Sequence, residues 1–221
     1  MNKNYQRNIF LESEGDGWFK RNEQSLSKKE DEIVNLDLLL PFLGKEDKIL
    51  EIGCSNGKNL NYFQKKLPNY KLDLYGVDPS KESVKSGNQI FKEIKLKVGT
   101  SDQLEFDNKF FDVIICGFFL YLVDRDLLFK TVSEIDRVLK EGGYLVIVDF
   151  DVPFPSCNDY HHYEGIKSYK NDYPKFFTGG GHYTLVGKKS FSHISDEHFH
   201  KTINERVSTT ILFKELIKDI Y

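Results

Sequence analysis

Lys48-Ile-Leu-Glu-Ile-Gly-Cys-Ser-Asn-Gly57 decides how the rest of the chain reads. Its first five residues carry three large aliphatics, enough for a short strand, and the apolar run then stops at a glycine. Gly53 lets the backbone turn sharply without a Cβ penalty, and Gly57 lets the next helix pack close to whatever the turn holds. That helix, predicted over 59–67, presents unpaired N–H groups at its start and stops at Pro68. A phosphate loop would end in Gly-Lys-Ser/Thr, but here Gly57-Lys58 is followed by Asn59. Taken alone, the same residues would also serve a plain strand-to-helix turn.

Outward from this turn, helix and strand alternate. Upstream, Ser27-Lys28-Lys29-Glu30 reads as a capping box, with Ile33, Leu36, Leu39 and Leu40 on one helical face and Pro41 and Gly44 closing it. Downstream, a strand over 72–77 ends at Asp78-Pro79. A helix over 80–91 and a strand over 94–98 follow. Residues 111–116 are apolar at nearly every position, as expected when both faces of a strand are covered. A helix over 126–140 carries Leu128, Val132, Ile135 and Leu139 on one face, with Gly142-Gly143 ending it. Residues 144–148 form a fifth buried strand. Alternation with short links predicts a parallel sheet with right-handed crossovers, a doubly wound α/β fold. Asp78 falls about 25 residues after the first glycine, where an acidic side chain can accept both hydroxyls of a ribose. Its other reading is a helix cap, a role Ser80 can fill instead.

After Asp149 the rhythm is lost. Residues 150–183 are crowded with aromatic and polar side chains that fit no clean period, and 183–188 and 206–213 read as two further strands forming an antiparallel edge. One domain is expected: an N-terminal segment over 1–26, a core over 27–150, a substrate-side insert over 151–183, and edge strands with the C-terminus over 184–221. Trp18, Arg21 and Asn22 either fold over the core as a lid or belong to a surface arm.

The bulk numbers exclude several classes. With 221 residues, 39% hydrophobic and 29% charged, the chain is an ordinary globular protein. A formal net charge of -3, without a Lys/Arg stripe, argues against a nucleic-acid partner. Cys54, Cys116 and Cys157 show no zinc spacing and suggest a reducing compartment. The first ten residues lack a signal peptide's apolar core, and no apolar run is long enough to span a membrane. A cytoplasmic protein is expected, and a homodimer is left open.

Five stretches, in order, carry a resemblance. Leu50-Glu-Ile-Gly-Cys-Ser-Asn-Gly57, Tyr75-Gly-Val-Asp-Pro-Ser80, Gly99-Thr-Ser-Asp-Gln-Leu-Glu-Phe106, Phe111-Asp-Val-Ile-Ile-Cys-Gly-Phe-Phe-Leu-Tyr121 and Arg137-Val-Leu-Lys-Glu-Gly-Gly-Tyr-Leu145 resemble the motifs of class I S-adenosylmethionine-dependent methyltransferases. The resemblance implies a Rossmann-like, mostly parallel seven-stranded sheet with an antiparallel edge strand. It also implies S-adenosyl-L-methionine as cofactor and S-adenosyl-L-homocysteine as product. Carried over by position, Glu51, Gly53, Cys54 and Ser55 would line the methionine part. Asp78 and Pro79 would meet the ribose, and Thr100 with Ser101 the adenine. Cys116, Gly117 and Phe118 would sit near the sulfonium, with Trp18 and Arg21 closing over the cofactor. Three positions depart from the pattern: Ser55 replaces a middle glycine, Thr100 an adenine-binding aspartate, and Glu141 a proline.

A fainter resemblance, over Glu14–Asn22 and His161–Tyr173, is to bacterial methyltransferases of surface-sugar biosynthesis, which implies O-methylation of a sugar or sugar-derived acceptor. A hydroxyl acceptor gains from a base, and His162 and His161, then Tyr121, Tyr160 and Glu164, are the candidates. No metal is expected, since no ligand pair has helical metal spacing. The alternatives are an N-methyltransferase on a small amine and a non-catalytic cofactor-binding scaffold. A nicotinamide oxidoreductase is disfavoured, because Ser55 sits where close pyrophosphate approach needs glycine.

Overall fold

The computed structural model describes residues 5–28, 35–195 and 197–216. A continuous helical stretch opens it: α1 (Gln6–Ile9), a π-turn (Phe10–Glu14) and α2 (Gly15–Lys28). A 3-10 helix over Leu36–Phe42 leads into β1 (Lys48–Ile52), α3 (Lys58–Lys66), β2 (Asp73–Asp78), α4 (Lys81–Ile90), β3 (Lys95–Val98) and β4 (Phe111–Gly117). Then come α5 (Leu128–Val138), β5 (Leu139–Phe150), β6 (Ser156–Asp159), β7 (Lys167–Lys170), α6 (Lys175–Thr178), β8 (Tyr183–Ser192) and β9 (Arg206–Lys214).

Seven strands form one sheet in the order β3-β2-β1-β4-β5-β9-β8. The first five are mutually parallel, and β9 runs antiparallel to both β5 and β8. The chain order reverses between β1 and β4, the place where open α/β sheets leave a crevice beyond their strand ends. There Ile52 pairs with Cys116, so the turn at Gly53 and the exit at Gly117 lie side by side.

The continuous apolar run of β4 is explained by its two covered faces. Ile114 and Cys116 pack with Leu50, Leu145 and α5, while Val113 and Ile115 pack with Ile49, Val146, the 3-10 helix and α3. Each of these four β4 side chains is fully buried. At about 1.5–3 kcal/mol per large buried aliphatic, this strand alone is a major stabilising element.

Three local expectations are corrected. Ser27 and Lys28 end a helix instead of opening one, while Glu30 and Ile33 of the expected capping box and helical face lie outside the described residues. Leu36 and Leu39 are buried three residues apart in a 3-10 helix that runs through Pro41, which supplies no N–H to a helical ladder. Helix α5 stops at Val138 because the lead-in to β4 takes its last carbonyls: the Lys109 and Phe110 N–H groups donate to Arg137 and Val138. Gly142, at φ 77°, then makes its turn within β5.

The aromatic insert divides in two. Tyr173 and Phe177 are core residues on the α5 face of the sheet, beside Tyr183 of β8. The separate hairpin β6–β7 carries Tyr160, His161 and His162 on its turn. The N-terminal helices are tied across it. The Gln6 side chain donates to Leu122 and Lys167 carbonyls and accepts from the Lys167 N–H, and Asp124 accepts from the Gln6 and Arg7 N–H groups.

Candidate active site

A cavity of about 1080 Å³ opens at the switch point between β1 and β4. Gly53, Cys54, Ser55, Asp78, Pro79, Thr100, Ser101, Gly117, Phe118 and Tyr121 all line it, as do Trp18, His161 and His162.

Its floor is the glycine turn. Gly53 is left-handed at φ 74°, and a Cβ there would stand 3.1 Å from the Phe119 ring and 3.2 Å from the Gly117 carbonyl. Ser55, also left-handed at φ 48°, directs its N–H to Asp78 Oδ2 at 2.8 Å. Asp78 further accepts from the Ser80 N–H at 2.9 Å and the Ser83 hydroxyl at 3.4 Å. Ser80 is the cap of α4, which leaves Asp78 free of that task. Burial pushes the Asp78 carboxyl up to about 6, against these donors.

Glu51 lies one layer beneath, fully buried. Its Oε1 accepts from Asn59 Nδ2 at 2.5 Å and would stand 3.0 Å from a Cβ on Gly117. Burial raises its carboxyl to about 8. Cys116 is fully buried too and does not line the cavity, so it supports the floor from below.

Three buried oxygens in and beneath this turn have no partner among the described residues: Glu51 Oε2, Ser55 Oγ and Asn56 Oδ1. An unpaired buried polar atom costs about 1–3 kcal/mol, so such a cluster asks for a ligand rich in donors. All three can accept, which suits the ammonium of an amino-acid moiety, while Asp78 keeps lone pairs for ribose hydroxyls. The residues present therefore fit S-adenosylmethionine.

Other placements differ from the expectation. Ser101 is buried with its hydroxyl 3.1 Å from Thr131 Oγ1, so Thr100 is the less committed of the two. Asp102, which the pattern did not single out, lines the cavity and holds Arg7 at 2.8 Å. Arg21 does not line the cavity; it pairs with buried Glu14, which also accepts from the Tyr160 hydroxyl at 3.0 Å. Asp16 ties α2 to α4, accepting from the Ser80 hydroxyl at 2.7 Å and the Glu82 N–H at 3.0 Å.

At the other end, Phe118, Tyr121 and Phe150 pack their rings together at 5.1 to 5.2 Å. Burial pushes the Tyr121 phenol far up, so near neutral pH it can donate a hydrogen bond and is a poor base. His161 and His162 are exposed at the cavity mouth, and neither imidazole makes a hydrogen bond among the described residues. His193, Lys170, Asn204 and Glu205 line the same end and were missed. No spacing links them, and His193, in Ser192-His-Ile-Ser195, carried no cue beyond its residue type. Among the described residues, no cluster of three His, Cys, Asp or Glu side chains could hold a metal.

Comparison with known proteins gives the same reading of the core. Residues 50–147 match the family described as "Methyltransferase domain". The matched core is similar to class I S-adenosylmethionine-dependent methyltransferase domains. The chain is 26% identical over 113 residues to a ubiquinone/menaquinone biosynthesis C-methyltransferase of Campylobacter jejuni, covering 49% of this chain and 47% of that one. It is 31% identical over 121 residues to carboxy-S-adenosyl-L-methionine synthase of Nautilia profundicola, covering 54% and 51%. The chain thus spans about half the length of the curated relatives it matches. Among solved structures, the 1,6-didemethyltoxoflavin-N1-methyltransferase of Burkholderia thailandensis, bound to S-adenosylhomocysteine, superposes with a TM-score of 0.68 at 15% identity, over 95% of this chain and 87% of that one. That likeness shows the fold. The methyltransferase domain's matched segment stops at 147, before the hairpin, His193 and Glu205, which lie outside what the family describes.

Proposed function

We propose that this protein is an S-adenosyl-L-methionine-dependent methyltransferase acting on a small molecule, by O-methylation of a sugar or sugar-derived metabolite. The observation that carries the reading is the convergence of two unpartnered acceptors, Ser55 Oγ and Asn56 Oδ1, and the Asp78 carboxylate on one cavity at the switch point, with a third, Glu51 Oε2, just beneath its floor. When bound, the cofactor supplies a sulfonium-activated methyl group. The protein's part is to hold the acceptor in line and exclude water. Glu51, Ser55 and Asn56 would hold the amino-acid end, Asp78 and Pro79 the ribose, and Thr100 and Asp102 the adenine side. Trp18, with Phe10 and Arg7, would cover the cleft as a lid.

A sugar acceptor is supported by the mixture on the far wall. Phe118, Tyr121 and Phe150 offer ring faces, while Asn158, Ser168 and Asn204 offer polar groups. Asn158 Nδ2 is buried without a partner and needs an acceptor such as a hydroxyl oxygen. A small-amine acceptor is the second reading, favoured by the toxoflavin N-methyltransferase likeness. The sequence features that suggest a reducing compartment support a cytoplasmic setting, and no described helix is long and apolar enough to cross a membrane.

Calorimetric titration with S-adenosylhomocysteine, followed by tritiated-methyl transfer to a panel of sugars, sugar acids and amines, tests the reading. Micromolar binding with label on a sugar oxygen is expected. Binding without transfer to any of them would leave a scaffold, and label on nitrogen would select the amine reading.

A further inference from the structure

His193 follows β8 and is held from two directions. Its backbone N–H donates to the Glu205 carbonyl at 2.9 Å, and its Nδ1 stands 3.5 Å from Glu205 Oε2. The ring stacks on Phe118, with centroids 5.4 Å apart and planes 25° apart, and tilts against Phe150 at 5.3 Å. Phe118 itself is left-handed at φ 59°, a conformation a bulky residue keeps only when its surroundings enforce it. Here its N–H is fixed on the Val148 carbonyl at 2.9 Å. The stack therefore ties the imidazole to the exit of β4, beside Gly117. The loop carrying Glu205 is itself braced, with Arg206 donating to the His200 and Lys201 carbonyls at 2.8 and 2.9 Å.

We propose that His193 is the base that accepts the proton of the methyl acceptor's hydroxyl, and that Glu205 is its positioning residue. The assignment rests on the methyl-transfer reading above. With Nδ1 turned toward the carboxylate, the proton of the neutral ring belongs on Nδ1, and Nε2 keeps its lone pair. As the acceptor oxygen bonds to the methyl carbon, the carbon–sulfur bond of the sulfonium donor breaks and its electron pair stays on sulfur. The hydroxyl proton passes to Nε2, the imidazolium is balanced by Glu205, and water later removes the proton. The charged groups acting on the ring are Glu205, on the turn Ile203–Glu205, and Lys170 of β7; Phe118 and Phe150 are neutral. The His193 side chain is 44% exposed, yet the packing around it, with Lys170, pushes the imidazole's pKa down while Glu205 opposes this, so the ring is in its base form near neutral pH. His161 and His162 have no such carboxylate-oriented, ring-stacked setting.

The full chain, labelled with 15N-histidine and saturated with S-adenosylhomocysteine, tests the pair. His193 is expected as one tautomer with a bare Nε2, and Glu205→Gln should mix the tautomers and move the titration to lower pH. In parallel, tritiated-methyl transfer is measured to methyl α-glucoside, D-glucuronate and 4-nitrocatechol. His193→Ala should lower transfer to an accepted probe about 100-fold or more, with S-adenosylhomocysteine affinity held within about threefold and partial rescue by added imidazole. A protonated Nε2, transfer by His193→Ala within tenfold of the parent, or absence of imidazole rescue overturns the proposal. If no probe accepts methyl, the tautomer alone decides. Failure of the unaltered chain to bind S-adenosylhomocysteine would sink the methyl-transfer reading, and this assignment with it.

Discussion

The floor of the cavity and its far wall are assembled from very different lengths of chain. Gly53, Ser55 and Asn56 occupy one turn, and Asp78 and Gly117 lie at the ends of the strands flanking it. On the far wall, Tyr160 meets Glu14 across 146 residues, and Gln6 meets Lys167 across 161. Backbone conformation fixes the floor, through left-handed residues at 53, 55 and 57 and the N–H groups gathered by Asp78. Side-chain contacts between distant segments fix the wall. A floor built from local geometry holds a constant ligand part, whereas a wall built from separate segments can be altered piece by piece to suit an acceptor.

Substitutions at the two ends should therefore separate cofactor affinity from transfer. The largest effect on affinity is expected from Asp78→Ala, which removes ribose hydrogen bonds to a charged group. At about 1.5–3 kcal/mol for such a bond, binding of S-adenosylhomocysteine should weaken roughly 10- to 150-fold, read by calorimetry. Unchanged affinity would detach the strand end from the ligand. Next, Gly53→Ala places a Cβ 3.1 Å from Phe119 in a left-handed turn. It should cost about 1–2 kcal/mol in stability and lower cofactor affinity about tenfold, without affecting the tautomer of His193.

A pH series probes three buried carboxyls without a ligand: Glu51 and Asp78 at the floor and Asp149 near the end of β5. Glu51, Asp78 and Asp149 are all raised by burial, to about 8, 6 and 7 from ordinary values of 4.5, 3.8 and 3.8. Between the ordinary and raised values the folded chain binds more protons than the unfolded one, so stability must fall as pH rises. The ligand-free protein should thus have its higher melting temperature near pH 5 and lose it through pH 8. Glu51→Gln should flatten the upper part of that curve, and a melting temperature rising from pH 5 to 8 would contradict the burial of these three carboxyls. The smallest effect is expected at the cavity mouth. His162→Ala should leave both binding and transfer within about threefold, as for an exposed residue. A larger fall in transfer alone would return the base to the hairpin turn.

Legibility in the sequence followed the same division. The strands of the core could be read because apolar runs, glycine turns and helix stops are local signals, and the five motifs kept their order. The 3-10 helix through Pro41 and the early end of α5 were not legible, since packing of Leu36 and Leu39 and capture of helix carbonyls by the β4 lead-in decided them. Arg21 was expected on the cofactor, but it pairs with Glu14 outside the cavity lining, and no spacing rule joins that pair to Tyr160. Asp102 directly follows the expected adenine contacts Thr100 and Ser101, and its pairing with Arg7 depends on where the N-terminal helix lands. Tyr173 and Phe177 belong to the aromatic stretch that fits no period and are core, because an aromatic side chain carries no local mark of which surface it will cover.

By itself the sequence determined the alternation of strands and helices, the glycine turn after β1, and the acidic end of β2, because each rests on interactions within a few residues. Only the tertiary structure decided that Trp18, Tyr160, Lys170, His193 and Glu205 face one cavity. Their meeting is set by how separate segments pack over the strand ends, and that packing leaves no periodic trace along the chain.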